Sequence, residues 1–356
     1  MSDWDAIVCG GSFAGLAAAG QIGGRVLVID RLEIGDGETS ASAVPLRCLE
    51  RLDLLDCVDQ VHRDIWLHTR RRSQRMRFFD FATFDYRRLC ETMFARSGAE
   101  FLRARITGAE EGVVHTTAGT FTAPIVIEAA GWRTSAPKER REEARPPRRS
   151  FGVEARQPFR GEGLHFWVGP GWGTRRFWWA FPAGDHVRAG LAHYDGHSSL
   201  SGDLTGFLER HRLGEAGHTH GGFFTSRMID PVRDGMFVVG DAAGHCLPVS
   251  GEGIRPALVF GQLAGRLAER VRLGELTRDQ ALSRYRSYVL SRKRGYDVLD
   301  RLQAVLNWLP DPLYAGFARV VAHPRVMRWA AARYWDVADP ELLTATPSPE
   351  PIPLAA

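Results

Sequence analysis

Near the start of the chain, Gly10-Gly11-Ser12-Phe13-Ala14-Gly15 has the residue types and spacing to hold a pyrophosphate. Such a site needs a tight turn, close backbone approach to the phosphates and close packing of helix on strand. Gly10 and Gly15 meet the first and third needs. Ser12 stands where a second glycine is usual and is small enough to keep the phosphate close. A helix opening here offers unpaired N–H groups and the positive end of its dipole. Asp30, with Arg31 beside it, stands where a carboxylate would bind a ribose hydroxyl pair. With a strand before the turn and a helix after it, this pattern predicts a bound dinucleotide.

A second cluster lies far along the chain, in 237-FVVGDAAGHCLPVSGEGIRPAL-258. A buried strand runs into Gly240-Asp241, then Pro248, then a second glycine turn, Gly251-Glu252-Gly253-Ile254, that opens another helix. These residues resemble the flavoprotein hydroxylase superfamily and, within it, the geranylgeranyl reductase-like branch, for which the GEGI form is typical. The resemblance implies FAD. It implies that Asp241 hydrogen-bonds the ribityl chain and that the turn at Gly251–Ile254 lies beside the isoalloxazine, where N–H groups at a helix start would stabilise negative charge. It covers about residues 4–260.

Three further segments are similar to that branch. Arg47 and Cys48 match an Arg-Cys pair that in relatives lies close to flavin and substrate, although Cys48 reads equally well as a small buried hydrophobe. The segment 84-FDYRRLCETMF-94 follows the family's helix entering the core. In 177-FWWAFP-182, alternation puts Phe177, Trp179 and Phe181 on one face of a strand, as core or as an aromatic wall for a lipid-like or polycyclic substrate. Trp167 and Phe166 extend that wall. Candidates for the protonating or positioning shell are Cys48, His245 and Arg47; His245 reads equally well as a cap of its turn.

The elements that must position these residues are legible in outline. Residues 5–31 read as a βαβ unit whose two strands, Ala6–Cys9 and Val26–Ile29, are short apolar runs suited to a buried parallel sheet. Leucines and charges from Pro45 to Val61 recur at helical spacing, and Ile65–Leu67 with Met76–Phe81 suggests a hairpin. A helix over 86–98 closes at Gly98; short strands over 101–122 lead to the buried strand in 124-PIVIEAAG-131. Residues 151–230 alternate with period two and are rich in aromatics, which predicts a second, antiparallel sheet. From Pro256 to Trp335 the pattern is helical, broken near Pro310 and Pro324. The fold expected is α/β (α+β overall): a Rossmann-like FAD-binding domain from 1–64, 99–150 and 231–290, a substrate-binding antiparallel domain from 65–98 and 151–230, C-terminal helices over 291–345, and a disordered Pro-rich tail over 346–356.

Composition narrows the function classes. The chain has 356 residues, 44% hydrophobic and 25% charged, as an ordinary globular protein does. Net charge is only +4, and the densest basic stretch, 138-KERREEARPPRR-149, mixes signs, so no nucleic-acid partner is expected. Five cysteines form no CxxC pair, which suits reduced thiols. His218 and His220 form an HxH without a third ligand, read as surface residues, and no metal is expected. No stretch is long and apolar enough to span a membrane, and the N-terminus reads as a strand, not a signal peptide. A cytoplasmic location is expected, with peripheral membrane contact through the C-terminal helices left open.

Two departures bear on the reaction. Relatives that take hydride from NAD(P)H carry an Asp-Gly pair after the strand that here ends Glu128-Ala129-Ala130-Gly131, so Ala130 stands in the aspartate's place. Ala130 thus counts against direct use of NAD(P)H, and the donor expected is NAD(P)H or a reduced redox protein. The run Glu128-Ala129-Ala130-Gly131-Trp132-Arg133 is also similar to flavin-dependent halogenases, but those need an early lysine and none occurs before Lys138. Arginine, always charged and not nucleophilic, cannot replace it. The resemblance implies reduction of C=C bonds in an isoprenoid-like or other lipophilic molecule by hydride from the flavin. The alternative is a monooxygenase acting on an aromatic or polyketide substrate; a halogenase or a non-catalytic flavin-binding protein comes after these.

Overall fold

The computed structural model describes residues 3–38, 40–133, 149–215, 217 and 219–348. The charged loop with Lys138, together with His218 and residues 349–356 of the tail, lies outside the described residues.

A six-stranded sheet forms the first layer, in the order Val232–Arg233, Met236–Val238, Ile125–Glu128, Ala6–Cys9, Val26–Asp30, Glu100–Arg103. All neighbours are parallel except the edge pair at Val232–Arg233. The chain leaves Ala6–Cys9 to one side for Val26–Asp30, while Ile125–Glu128 lies on the other. This is a topological switch point, and in open α/β sheets ligands bind in the crevice beyond the strand ends at such a point. Four strands end there: in Gly10, Asp30, Ala129–Gly131 and Gly240-Asp241.

Short helix Phe13–Ala19 is completely buried and packs along the long helix Ile254–Arg272. A side chain at Gly261 would put its Cβ 2.4 Å from the Ala14 carbonyl, so the two backbones meet where only glycine fits. Helix Tyr86–Ser97, capped by the Asp85 carboxylate and closed by left-handed Gly98, packs on Phe13–Ala19 and so sits with the parallel-sheet core.

The second layer is a seven-stranded sheet in the order Thr219–Thr225, Arg149–Pro158, His186–His193, Arg176–Ala183, Leu164–Val168, Ile65–His68, Ser73–Met76. One face is covered by helix Ser201–His211; the other looks onto the crevice. That helix departs from the all-strand expectation for 151–230. Its buried Leu204, Phe207 and Leu208 recur at helical spacing, a local period within a strand-rich region. The helix expected over Pro45–Val61 is cut short. Leu46–Arg51 is helical, but Val58–His62 pairs with Phe81–Phe84 in a three-stranded sheet, where β-branched valines fit. The hairpin is Ile65–His68 with Ser73–Met76.

Helices Lys293–Leu306, Asp311–Val321 and Pro324–Val337 close the remaining side, broken at the prolines. Residues 344–348 return to the first layer, where Thr344 and Ser348 donate backbone N–H groups to Gln262 and Gln21.

Candidate functional site

A cavity of about 1400 Å³ opens between the two layers and the C-terminal helices. That exceeds the roughly 300–1,000 Å³ of a typical small-ligand pocket and is room for a dinucleotide with a second molecule.

One end is built by the strand termini of the parallel sheet. Gly10 has φ +123°, and a Cβ there would lie 2.3 Å from the Ala129 carbonyl; one on Gly15 would lie 2.0 Å from the Gly10 carbonyl. The turn is therefore as tight as its glycines allow. Gly11, Ser12, Phe13 and Ala14 line the cavity, whereas Gly10, Gly15 and Pro248 shape the turns from behind. Asp30 accepts from the Gly11 N–H at 2.8 Å and from Leu32 N–H at 3.0 Å. Its carboxylate thus bridges the turn to the second strand while Asp30 and Arg31 both face the cavity. Tyr86, a residue sequence reasoning passed over, places its hydroxyl 3.1 Å from Ser12 Oγ at the same turn.

At the sheet's other side Asp241 faces the cavity beside Gly240. Burial pushes its carboxyl up to about 7, against a smaller opposing effect of Thr225. A carboxylate so short of solvent is completed by hydroxyl donors, which is the chemistry of a sugar or ribityl chain. Gly251, Glu252, Gly253 and Ile254 also line the cavity. The Glu252 carboxylate is engaged by the fully buried Arg255 guanidinium at 2.8 and 2.9 Å. Arg255 donates in turn to the carbonyls of Tyr334, Trp335 and Ala338. The second glycine turn is thereby tied to the last helix, while the Glu252 N–H donates to Ser250 Oγ and its carbonyl accepts from the Leu247 N–H within the turn.

The far end is apolar. Phe177, Trp179 and Phe181 stand in a row with centroids 5.7 and 6.5 Å apart, and Phe166 packs edge-on to Phe181 at 5.0 Å. Val298, Leu302, Leu306, Phe317 and Met327 of the C-terminal helices face them. Trp167 is not part of this wall. The register pairs Trp167 with Trp178 and Phe166 with Trp179, so Trp167 points to the opposite face and packs on Phe207 and Trp172.

Nor does the structure bring the three catalytic candidates to the cavity. The Arg47 guanidinium points outward to Glu341 and Glu50, which raise its pKa above the ordinary arginine value. Cys48, one turn position on, is completely buried, and burial pushes its thiol far up, the reading of a small core hydrophobe. His245 is buried under its own turn. Its Nδ1 accepts from the Gly240 N–H at 3.1 Å, its ring packs on Phe260, and burial lowers its pKa to about 3. A neutral, enclosed imidazole caps the turn, and the one proton it holds, on Nε2, is buried away from the cavity.

His220, read from the sequence as a surface residue, instead lies in the cavity wall beside Glu154. Among the described residues no group of His, Cys, Asp and Glu is placed to hold a metal ion, and no helix is long and apolar enough to cross a membrane.

Comparisons of sequence and of structure each return a geranylgeranyl-type reductase or reductase-like protein. No family model matches the chain. A digeranylgeranylglycerophospholipid reductase of Methanococcus vannielii is 31% identical over 117 residues, 30% of this chain. The chain matches about 30% of that relative's length. Among solved structures, a geranylgeranyl bacteriochlorophyll reductase-like protein of Thermoplasma acidophilum superposes with TM-score 0.81 at 18% identity, covering 95% of this chain and 97% of the other. PqsL, a probable FAD-dependent monooxygenase of Pseudomonas aeruginosa, gives TM-score 0.69 at 15% identity, covering 88% and 98%. Identities this low establish a shared fold: the chain has the α/β architecture of these flavoproteins, with an antiparallel second sheet and a helical C-terminus. The resemblance to the geranylgeranyl reductase-like branch holds both in sequence and in structure.

Proposed function

We propose that this chain is an FAD-dependent oxidoreductase of a lipophilic substrate, and that it reduces C=C bonds of an isoprenoid-like molecule. One observation carries the reading: a single cavity joins a dinucleotide cradle, with Asp30 at one end and the half-buried Asp241 at the other, to a wall of phenylalanine and tryptophan. A polar substrate would find few partners on that wall, whereas apolar surface buried there contributes about 25 cal/mol per Å². When bound, FAD supplies the hydride chemistry; the protein supplies binding, orientation and exclusion of water. Gly11–Ala14 and Asp30 would hold the adenosine diphosphate end, Asp241 would accept from ribityl hydroxyls, and the turn at Gly251–Ile254 would border the ring system. Exposed Val305, Trp308, Leu313 and Trp329 on the C-terminal helices favour access for a lipid from a membrane surface. The electron donor is NAD(P)H or a reduced redox protein.

The test is the visible spectrum of the purified, FAD-reconstituted protein, followed by anaerobic titration with dithionite and NADPH. Flavin bands and their bleaching are expected, and reoxidation by an added polyprenyl lipid without oxygen supports reduction of C=C bonds. Absence of flavin bands would sink the whole reading. Reoxidation that requires oxygen stoichiometrically would replace it with the monooxygenase.

A further inference from the structure

We propose that His220, held by Glu154, is the residue that delivers a proton to a substrate in the cavity, with Glu154 as its positioning residue. The inference rests on the oxidoreductase reading above, but its geometry stands apart from it.

Pairing across the seven-stranded sheet puts one residue from each of four strands in a row: His220 opposite Glu154, Glu154 opposite Gly190, and Gly190 opposite Trp179. In an antiparallel sheet such a row points to one face, and here it is the cavity face. Gly190 is what allows the row to connect. A Cβ at that position would lie 2.3 Å from Trp179 Cζ2, so the indole lies flat over the glycine. There its N–H donates to Glu154 Oε2 at 2.7 Å. The other oxygen, Oε1, accepts from Arg188 at 2.6 Å and lies 3.4 Å from His220 Nε2.

The charges along this array alternate. Glu38 pairs with Arg188 at 2.5 Å, Arg188 with Glu154, and Glu154 with His220. Arg188 serves two carboxylates, so the chain Glu38–Arg188–Glu154 carries one uncompensated negative charge. A proton on His220 completes the alternation. Glu154 is all but enclosed, with its side chain 4% exposed, and a buried carboxylate demands such compensation. Other charged groups on elements packed against this strand are Arg149 and Arg156 on the neighbouring strand Arg149–Pro158, Arg133 in the Gly131–Arg133 turn and Asp241 in the Gly240–Ala243 turn.

The His220 side chain is 22% exposed, and that exposure is to the cavity wall it lines with Gly152, Gly221 and Gly222. Nε2 is its buried nitrogen, within ion-pair range of Glu154 but outside hydrogen-bond geometry, which leaves Nδ1 to carry the transferable proton. In the balanced step, the alkene π bond breaks as hydride from reduced flavin forms one C–H bond and the His220 proton forms the other. Imidazole is left neutral and regains its proton from water, while Glu154 remains a carboxylate throughout. General acids of this kind contribute about 10²–10⁴-fold in rate.

Two experiments test the assignment, one independent of flavin and substrate. Diethyl pyrocarbonate acylates only unprotonated imidazole. At near-neutral pH, Glu154→Gln is expected to be labelled at His220 several-fold faster than the wild type, as read by peptide mass mapping. Equal rates would show that Glu154 does not hold a proton on His220 and would overturn the dyad. Because Glu154→Gln could unfold the sheet, its far-UV circular dichroism and denaturant midpoint are measured beside the labelling; faster labelling counts for the dyad only in a variant folded as the wild type, and if it is unfolded the His220 variants below decide. Second, dithionite-reduced holoenzyme is mixed anaerobically with digeranylgeranylglycerophospholipid in detergent. His220→Gln is expected to slow flavin reoxidation about a hundredfold and to bind flavin normally. Imidazole added to His220→Ala is expected to restore part of the rate. Rates within twofold of wild type for both His220 variants would remove His220 from the proton transfer. A wild type inert to the lipid would instead count against the C=C reduction, with the dyad then judged on the labelling alone.

Discussion

Two adjacent tryptophans on one strand face opposite worlds. Trp178 and Trp179 are equally buried, at 7% exposure each. Trp178 points to the helix-covered face, stacks on Phe207 at 4.8 Å and donates to the Trp172 carbonyl at 2.7 Å. Trp179 points to the cavity and donates to a carboxylate. The first is satisfied by neutral core partners, the second by an ionised group that faces a ligand space. The same division runs through the turn after the strand Met236–Val238, where His245 turns inward and Asp241, four residues earlier, turns toward the cavity. Burial alone does not distinguish a packing residue from a site residue; the hydrogen-bond partner and the face do.

The contrast is broken most forcefully by truncation. Trp178→Ala should cost about 3–5 kcal/mol of unfolding free energy, as large-to-small core changes do, and should be read as a lowered denaturant midpoint. Trp179→Phe keeps most of the apolar surface and leaves Glu154 one donor short, for about 1–3 kcal/mol. The comparison predicts a second difference: ligand binding should change for Trp179→Phe and, among molecules that remain folded, hardly at all for a milder Trp178→Phe. If both substitutions perturbed flavin or lipid binding alike, the two faces would not be separate in function.

The turn residues sharpen the same point through pH. The Asp241 carboxyl is raised from 3.8 to about 7, so its stabilising contribution is present below 3.8 and lost as pH rises toward 7. His245 is lowered from 6.5 to about 3, so its contribution is present above 6.5 and lost as pH falls toward 3. In the shared window the two slopes oppose, each up to about 1.4 kcal/mol per pH unit. Asp241→Asn should therefore unmask a steeper loss of stability on acidification, and FAD, by donating to Asp241, should shift the wild type's profile while leaving that of the variant alone. Denaturation curves of the apo- and FAD-loaded proteins between pH 4 and 7 would check both, and an apo slope unchanged in Asp241→Asn would refute a carboxyl raised by burial in the folded state.

How much of this was legible in the sequence follows from which interactions are local. The turn at Gly10–Gly15 and the strand into Gly240-Asp241 are encoded by residues a few positions apart, and each was readable. Alternation in 177-FWWAFP-182 likewise put Phe177, Trp179 and Phe181 together. Trp167 was misplaced because its face depends on inter-strand register, which no single strand records. His220 was passed over for the same reason: its partner Glu154 is distant in sequence, and the glycines around it read as loop. Arg47 and Cys48 matched a family pair in type, yet a short helix turns one to solvent and the other into the core.

Arg47 gives the smallest effect and the clearest check on that last point. Its ion pairs with Glu341 and Glu50 are exposed, at 2.6 and 3.1 Å, and exposed pairs of this kind contribute little after screening and side-chain entropy. Arg47→Ala should leave the melting temperature, flavin affinity and any lipid-dependent reoxidation within experimental scatter of the wild type. The Arg-Cys pair would then be a resemblance of sequence whose arginine, in this chain, serves the contact with the Pro340–Leu342 turn. A tenfold loss of flavin affinity would instead mean that the short helix rearranges when the cavity is filled, carrying Arg47 to the cofactor and making this face part of the site after all.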